Sequence, residues 1–227
     1  MGIPFHIDAT GIFKEEIKNR FRSYVMIEGH NELCYVQSSS RLDNYVKLKN
    51  KIVVLKKTNS SSKMKFSILA KPFHKDYILL CPMIANQIIY SELHRKIFSF
   101  LGLRNNALLE KEIDGYKSNI YLPASDDIIE IKALISDDKN GNIFPTVYSE
   151  RTYEQLTYFK SRLEIGKKCS FILVSCNPYY DEIILNKETK FYVLFKECIN
   201  LGMKVIAVSL TCKNNVISVK RKINIKI

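Results

Sequence analysis

Up to about residue 82, apolar and polar positions alternate in short runs broken by turns, a strand pattern rather than a helical one. Residues 19–27, Asn-Arg-Phe-Arg-Ser-Tyr-Val-Met-Ile, place Phe21, Val25 and Ile27 on one face and Arg20, Arg22 and Tyr24 on the other. Further runs cover 33–37, 52–55, 64–70 and 77–80, with a polar loop at 56–62. Five short strands so close together predict a small barrel. The period then changes. Ile89, Leu93, Ile97 and Phe100 recur every three or four residues, which predicts a helix capped by Asn86 and ended by Gly102. Residues 107–117 are polar and read as a connector between two domains.

The last 110 or so residues alternate strand and helix. A strand at 128–134 and a turn at 137–142 precede a helix from Ser149 to Gly166, with Leu156, Phe159 and Leu163 facing inward. An apolar strand at 169–175 leads to a second helix, 191–201, which buries Phe191, Leu194, Phe195 and Cys198 and is capped by Gly202. A buried strand at 205–210 and a basic edge strand at 216–227 complete the pattern. It predicts an α/β sandwich with a mixed sheet.

Composition narrows the possibilities. At 46% hydrophobic and 26% charged residues, the 227-residue chain has the balance of a globular protein and is not disordered over most of its length. Its longest uncharged apolar run, 77–90, is interrupted by Cys81, Pro82, Asn86 and Gln87, so no membrane-spanning helix is expected. Lys and Arg number 35 against 23 Asp and Glu, a net charge of +12, and residues 1–80 hold 14 basic and 7 acidic side chains. Such a surplus suits a polyanionic partner, DNA or RNA, although lysine supplies 27 of the 35 charges and a merely lysine-rich composition would look alike. The six cysteines are scattered without a CxxC pair, and the four histidines do not cluster with them. Zinc is not expected, and reduced cysteines acting as small hydrophobes suit the cytoplasm.

The sharpest local signal is Glu130-Ile131-Lys132. On a strand, residues two apart share a face, so a carboxylate and an ammonium stand side by side. Nucleases of the PD-(D/E)xK type use this pair, the Glu to hold magnesium or manganese and the Lys to stabilise charge at the attacked phosphate. An ordinary ion pair on an exposed strand gives the same pattern.

A longer series of motifs follows the chain from about residue 19 to 210: Asn19-Arg20-Phe21, the stretch 35–42 ending in Arg41-Leu42, Ala85-Asn86, Glu130-Ile131-Lys132, Phe144-Pro145 followed by Ser149-Glu150-Arg151 and Leu156, and Leu201-Gly202 before Val205. In this order and spacing the sequence resembles the SfsA, or sugar fermentation stimulation protein, family. The resemblance implies an OB-like barrel over residues 1–84 and a PD-(D/E)xK nuclease-like mixed-sheet α/β domain over 85–227. It also implies DNA binding, with a nuclease activity reported or presumed for the family. An OB-like barrel grips single strands with cations and stacked aromatics. Arg20, Arg22 and Tyr24 on one strand face, Lys63 and Lys65 beside Ser67 on another, and Arg41 and Arg151 are the candidate nucleic-acid contacts. Glu130 and Lys132 are the candidate catalytic pair, with Glu130 as metal ligand.

The departures from the family pattern point the other way. Tyr121 stands where the family has a metal-binding Asp, Thr146 where it has the Asp of an FPD motif, and Gln155 where it has a His. Tyr35, Gln37, Ser38 and Ser40 replace the His, Pro, Asn and Gly of the first barrel motif. A hard divalent cation needs several oxygen ligands, carboxylates among them. Asp114, Asp126, Asp127 and Glu150 are the acids able to substitute. The sequence therefore reads as a nucleic-acid-binding protein with a degenerate nuclease-like domain and weakly held metal, the alternative being a magnesium-dependent nuclease. Oligomeric state stays open.

Overall fold

The computed structural model describes residues 2–17, 21–38, 41–42, 45–58, 63–137, 142–146 and 148–227. Strand β1 (Ile3–Pro4) is followed by β2 (Ala9–Glu16), β3 (Arg22–Ile27), β4 (His30–Val36), β5 (Ile52–Lys57), β6 (Phe66–Phe73) and β7 (Asp76–Leu79). The long β2 pairs antiparallel with both β3 and β5, Ile12 standing opposite Met26 on one side and Ile52 on the other. Parallel pairing of β4 with β6, from Cys34↔Phe66 to Val36↔Ile68, closes the ring in the order β4-β3-β2-β5-β6. This is the five-stranded OB-like barrel. Phe13, Val25, Cys34, Leu55 and Ile68 fill it, each at most 1% exposed. At Gly11 a Cβ would stand 2.5 Å from Val25 Cγ1 and 2.8 Å from the Met26 carbonyl, so the close crossing of β2 and β3 excludes a side chain there.

The barrel differs from the expected one in four ways. Strand β2 went unrecognised because a register shift between Phe13 and Glu15 breaks its alternation. Strand β7 pairs only with β6 in the barrel sheet and lies outside the ring. Phe21 precedes β3 in a left-handed conformation, φ 75°, and is exposed, so Ser23 takes the inner position. Lys56 and Lys57 continue β5, while Lys63 and Lys65 precede β6 and are exposed, apart from the buried Ser67.

Beyond the barrel come α1 (Ile84–Glu92) and a short 3-10 turn, Lys96–Leu101, ended by Gly102 at φ 78°. Asn86 lies inside α1 and does not cap it; Met83 is the cap residue. The predicted single helix breaks after Glu92 because that buried carboxylate is tied elsewhere. It accepts from the Val219 amide and from Arg95, each at 2.8 Å, and Arg95 also donates to the Val219 carbonyl at 2.6 Å.

The remaining elements are β8 (Leu108–Leu109), β9 (Glu112–Ile113), β10 (Tyr116–Lys117), β11 (Ile120–Leu122), β12 (Asp127–Leu134), β13 (Ile143–Phe144), α2 (Glu150–Glu164), β14 (Lys168–Ser175), β15 (Glu182–Leu185), α3 (Lys190–Asn200), β16 (Lys204–Lys213) and β17 (Val216–Lys226). One mixed sheet runs β13-β15-β17-β16-β14-β12-β11-β8, with β12, β14 and β16 mutually parallel. Residues 107–117 are thus more than a connector, since β8 extends the sheet and β9–β10 form a separate hairpin. Strand β17 is no edge: it lies between β16 and β15 and also pairs with β1 through Ile3↔Ile217. Alternation within one strand carries no information about its neighbours.

Helices α2 and α3 each have a local cause. The Ser149 hydroxyl accepts from the Thr152 amide at 3.3 Å to open α2, and the Thr189 hydroxyl accepts from Tyr192 at 3.2 Å to open α3. One sheet face, with Ile129, Ile131, Ile172 and Val174, shares a continuous core with α1 and the barrel. The other, with Ile128, Phe171 and Leu173, is covered by Leu156, Phe159 and Leu163 of α2 and by Phe191 and Phe195 of α3. Among the described residues, no helix is long and apolar enough to cross a membrane.

Candidate functional site

Strand alternation sends Ile128, Glu130 and Lys132 toward α2, and Asp127, Ile129 and Ile131 toward α1. Glu130 is 2% exposed, and a buried carboxylate needs partners. Its Oε2 accepts from the Tyr116 hydroxyl at 2.7 Å, and its Oε1 accepts from Gln155 Nε2 at 2.9 Å. Lys132 Nζ lies 2.9 Å from the same Oε1 and donates to Gln155 Oε1 at 2.5 Å. The four side chains form a closed network. Tyr116 stacks on Tyr158 at 4.6 Å between ring centroids, and Tyr158 donates to the Ile113 carbonyl at 3.1 Å. Burial first, then the Glu130 charge, pushes the Tyr116 phenol up, so it remains a donor at neutral pH.

These residues do not fit a hard divalent cation. Both Glu130 oxygens already accept, and an ammonium stands beside one of them. Tyr121 donates instead to Asp126 Oδ1 at 3.2 Å, and Thr146 to the Ile143 carbonyl at 3.1 Å. The substitute acids are engaged or misplaced. Asp114 pairs with Arg162 at 3.2 Å and with Lys167 at 3.1 Å, and Asp126 pairs with the same two cations. Asp127 faces the opposite side of the sheet, where it accepts from Ser170 at 2.9 Å. Glu150 is exposed at the start of α2. Among the described residues, no three His, Cys, Asp or Glu side chains converge as a metal site.

A cleft of about 380 Å³ opens over Glu130 and Lys132. Ser38 and Tyr45 reach it from the barrel side, Met83 and Asn86 from α1, and Ser149 and Arg151 from the start of α2. The predicted Arg151 therefore joins Lys132 in the cleft.

The barrel carries a second arrangement. Arg22 stands opposite Tyr35, Tyr35 opposite the buried Ser67, and Ser67 opposite Lys56, one row across β3, β4, β6 and β5 in which Arg22 and Lys56 are exposed and Tyr35 half-buried. Tyr24, 38% exposed, lies two residues along β3, and the Phe21 ring is 6.2 Å from that of Tyr35. Lys63 and Lys65 flank the row from the segment before β6, and Arg41 is exposed beyond β4. Arg20 lies outside the described residues. Tyr35 and Lys56 were not assigned to this face from sequence, although both occupy outward positions of their strands. Nothing in the sequence pointed to Tyr116, which reaches Glu130 from a two-residue strand.

Fold and site together define a class: an OB-like barrel joined to a large mixed sheet with helices, with a cleft between them. The chain is 25% identical over 221 residues to the sugar fermentation stimulation protein homolog of Thermosipho melanesiensis, covering 95% of this chain and 93% of that one. To the homolog of Clostridium acetobutylicum it is 23% identical over 141 residues, 61% of each. Over nearly its whole length the chain is thus similar to sugar fermentation stimulation protein (SfsA) homologs. The SfsA of Pyrococcus furiosus, solved in complex with Ca2+, has the same fold, with a TM-score of 0.82 over 100% of both chains at 15% identity. No family model matches the chain.

Proposed function

We propose that this protein binds DNA or RNA through its barrel (residues 1–84), and that residues 85–227 form a degenerate PD-(D/E)xK nuclease-like domain with little or no cleavage activity. The alignment of Arg22, Tyr35 and Lys56 across neighbouring barrel strands carries this reading. In an OB-fold, the face of the second and third strands and the loop between the fourth and fifth are where nucleic acid lies, and here they hold Arg22, Tyr24, Tyr35, Lys63 and Lys65. Aromatic faces stack bases, cations meet phosphates, and the net charge of +12 draws a polyanion from a distance. Glu130 and Lys132 then serve as an ion pair within a polar network whose filled carboxylate oxygens leave magnesium or manganese little to bind, and no organic cofactor is needed. Six free, buried cysteines suit a reducing cytoplasm.

Fluorescence anisotropy with labelled single-stranded DNA and RNA tests the reading. Binding that weakens steeply with salt supports it, and no binding to either at low salt defeats it. The second reading, a magnesium-dependent nuclease, draws on the retained Glu130 and Lys132 and on the Ca2+ held by the Pyrococcus furiosus protein. Cleavage with magnesium or manganese, abolished by Glu130→Gln, would establish it.

A further inference from the structure

Away from the cleft and the barrel row, the turn between β6 and β7 meets the segment after β14. Phe73, His74 and Tyr179 form an aromatic triplet with centroids 4.4 Å apart for Phe73–His74, 5.0 Å for His74–Tyr179 and 5.8 Å for Phe73–Tyr179. Lys220 of β17 lies 5.1 Å over the Tyr179 ring and donates to the Pro178 carbonyl at 2.6 Å. The rings are held in place. The Lys75 amide donates to the Tyr179 hydroxyl at 3.0 Å, the Tyr179 amide donates to Asn177 Oδ1 at 3.0 Å, and Asn177 Nδ2 donates to the Ser136 carbonyl at 3.0 Å. Tyr179 is nonetheless 39% exposed, and His74 and Lys75 are exposed. Rings gathered for core packing would be hidden. Phe73 is half-buried and packs on the main core, while His74 and Tyr179 stand fixed at the surface.

The local charge is unbalanced. Asp137 is taken by Lys71 at 2.5 Å, Asp181 by Arg221, and the buried Asp76 by the Thr211 hydroxyl and the Cys212 amide. Lys75 and Lys220 have no carboxylate within ion-pair distance among the described residues. Burial, then the nearby charge of Arg221, lowers the Lys220 pKa, a setting that an incoming anion would relieve. Rigid exposed rings beside uncompensated ammonium groups are what grips single-stranded nucleic acid, the rings stacking bases and the ammoniums meeting phosphates.

We infer that the Phe73–His74–Tyr179 platform, with Lys75 and Lys220, is a second contact for single-stranded nucleic acid, engaged by the same strand that crosses the barrel row. The inference rests on the nucleic-acid reading proposed above. Ser67 in the row and Phe73 in the platform are both on β6, six residues or roughly 20 Å apart by strand rise. One strand can span both contacts within the site size of about 4–16 nucleotides usual for an OB-fold.

The test compares anisotropy titrations with oligothymidylates of about 4 and about 20 nucleotides, the first at the lower end of an OB-fold site and too short to reach both contacts, the second long enough for both. The double variant His74→Ala/Tyr179→Ala should weaken the longer strand by at least roughly fivefold and leave the shorter one, seated on the barrel row, unchanged. Tyr179→Phe, which keeps the ring, should bind as wild type. As a check independent of any variant, a 5-iodouracil-substituted long strand should photo-cross-link to the peptide bearing His74 or Tyr179. Equal behaviour of the double variant and wild type at both lengths, or cross-links confined to the barrel row, would overturn the platform while leaving the nucleic-acid reading intact. If neither strand binds wild type, both fail together.

Discussion

The Tyr116 hydroxyl donates to Glu130 Oε2 at 2.7 Å from a hairpin strand outside the main sheet, and with Gln155 and Lys132 it leaves that buried carboxylate fully partnered. Where the motif invites a cation, the protein supplies an ammonium, an amide and a phenol.

Removing one member should therefore expose the cost of the others. Tyr116→Phe is expected to destabilise by about 1–3 kcal/mol, since a buried acceptor loses its donor. Lys132→Met should cost more, about 3 kcal/mol or above, because a buried charge is left without its counter-ion. Adding Glu130→Leu to Lys132→Met should recover most of that loss. Urea midpoints of the three variants measure it, and a double variant no more stable than Lys132→Met would contradict the network.

Chelation should leave this fold untouched. Because Tyr116, Gln155 and Lys132 already fill the Glu130 oxygens, the thermal midpoint is expected to be the same with EDTA and with magnesium, within about one degree, whereas a bound ion would raise it by mass action. Differential scanning fluorimetry decides the point.

Binding through the barrel row makes a separate prediction. Arg22→Ala and Lys56→Ala should each flatten the plot of affinity against salt by about one counter-ion, while Tyr35→Ala should weaken binding at all salt concentrations without changing the slope. Anisotropy across a salt series distinguishes the two behaviours.

Asp127 sets a pH dependence. Burial pushes its carboxyl up to about 6, and its Oδ1 has no hydrogen-bond partner. A carboxyl raised in the folded state binds its proton more tightly there than in the unfolded chain. Its contribution is thus fully present below the ordinary value of 3.8 and is lost as pH rises toward about 6. Asp127→Asn should stabilise the protein by about 2–3 kcal/mol at pH 7.5 and much less at pH 4, read as the difference in urea midpoints between variant and wild type.

The helices and central strands were legible because their signals are local. Leu156, Phe159 and Leu163 repeat at helical spacing, Ser149 and Gly166 mark the ends, and the run 169–175 is apolar throughout; all three side chains are buried as that pattern requires. Leu156→Ala should accordingly cost about 2–5 kcal/mol in denaturant unfolding. What the sequence hid depends on partners far along the chain. The bulge in β2 interrupts its period, Glu92 ends α1 early to reach Val219, and Tyr116 meets Glu130 only after a hairpin folds across. The ExK pair was visible, but its meaning lay in Tyr116 and Gln155, which no spacing within β12 reveals.

The pairing of β1 with β17 bears on how the molecule is made. Ile3 lies opposite Ile217, and the Phe5 amide donates to the Asn215 carbonyl at 2.8 Å. At roughly 5–20 residues per second, a ribosome delivers those partners some ten seconds or more after β1 has left the exit tunnel. The barrel can close in that interval, since β2 to β6 need nothing beyond residue 73 for their pairing. Strand β1, outside the barrel, cannot pair so early and waits until β17 emerges. Residues that precede the whole barrel along the chain are thereby among the last to find their places.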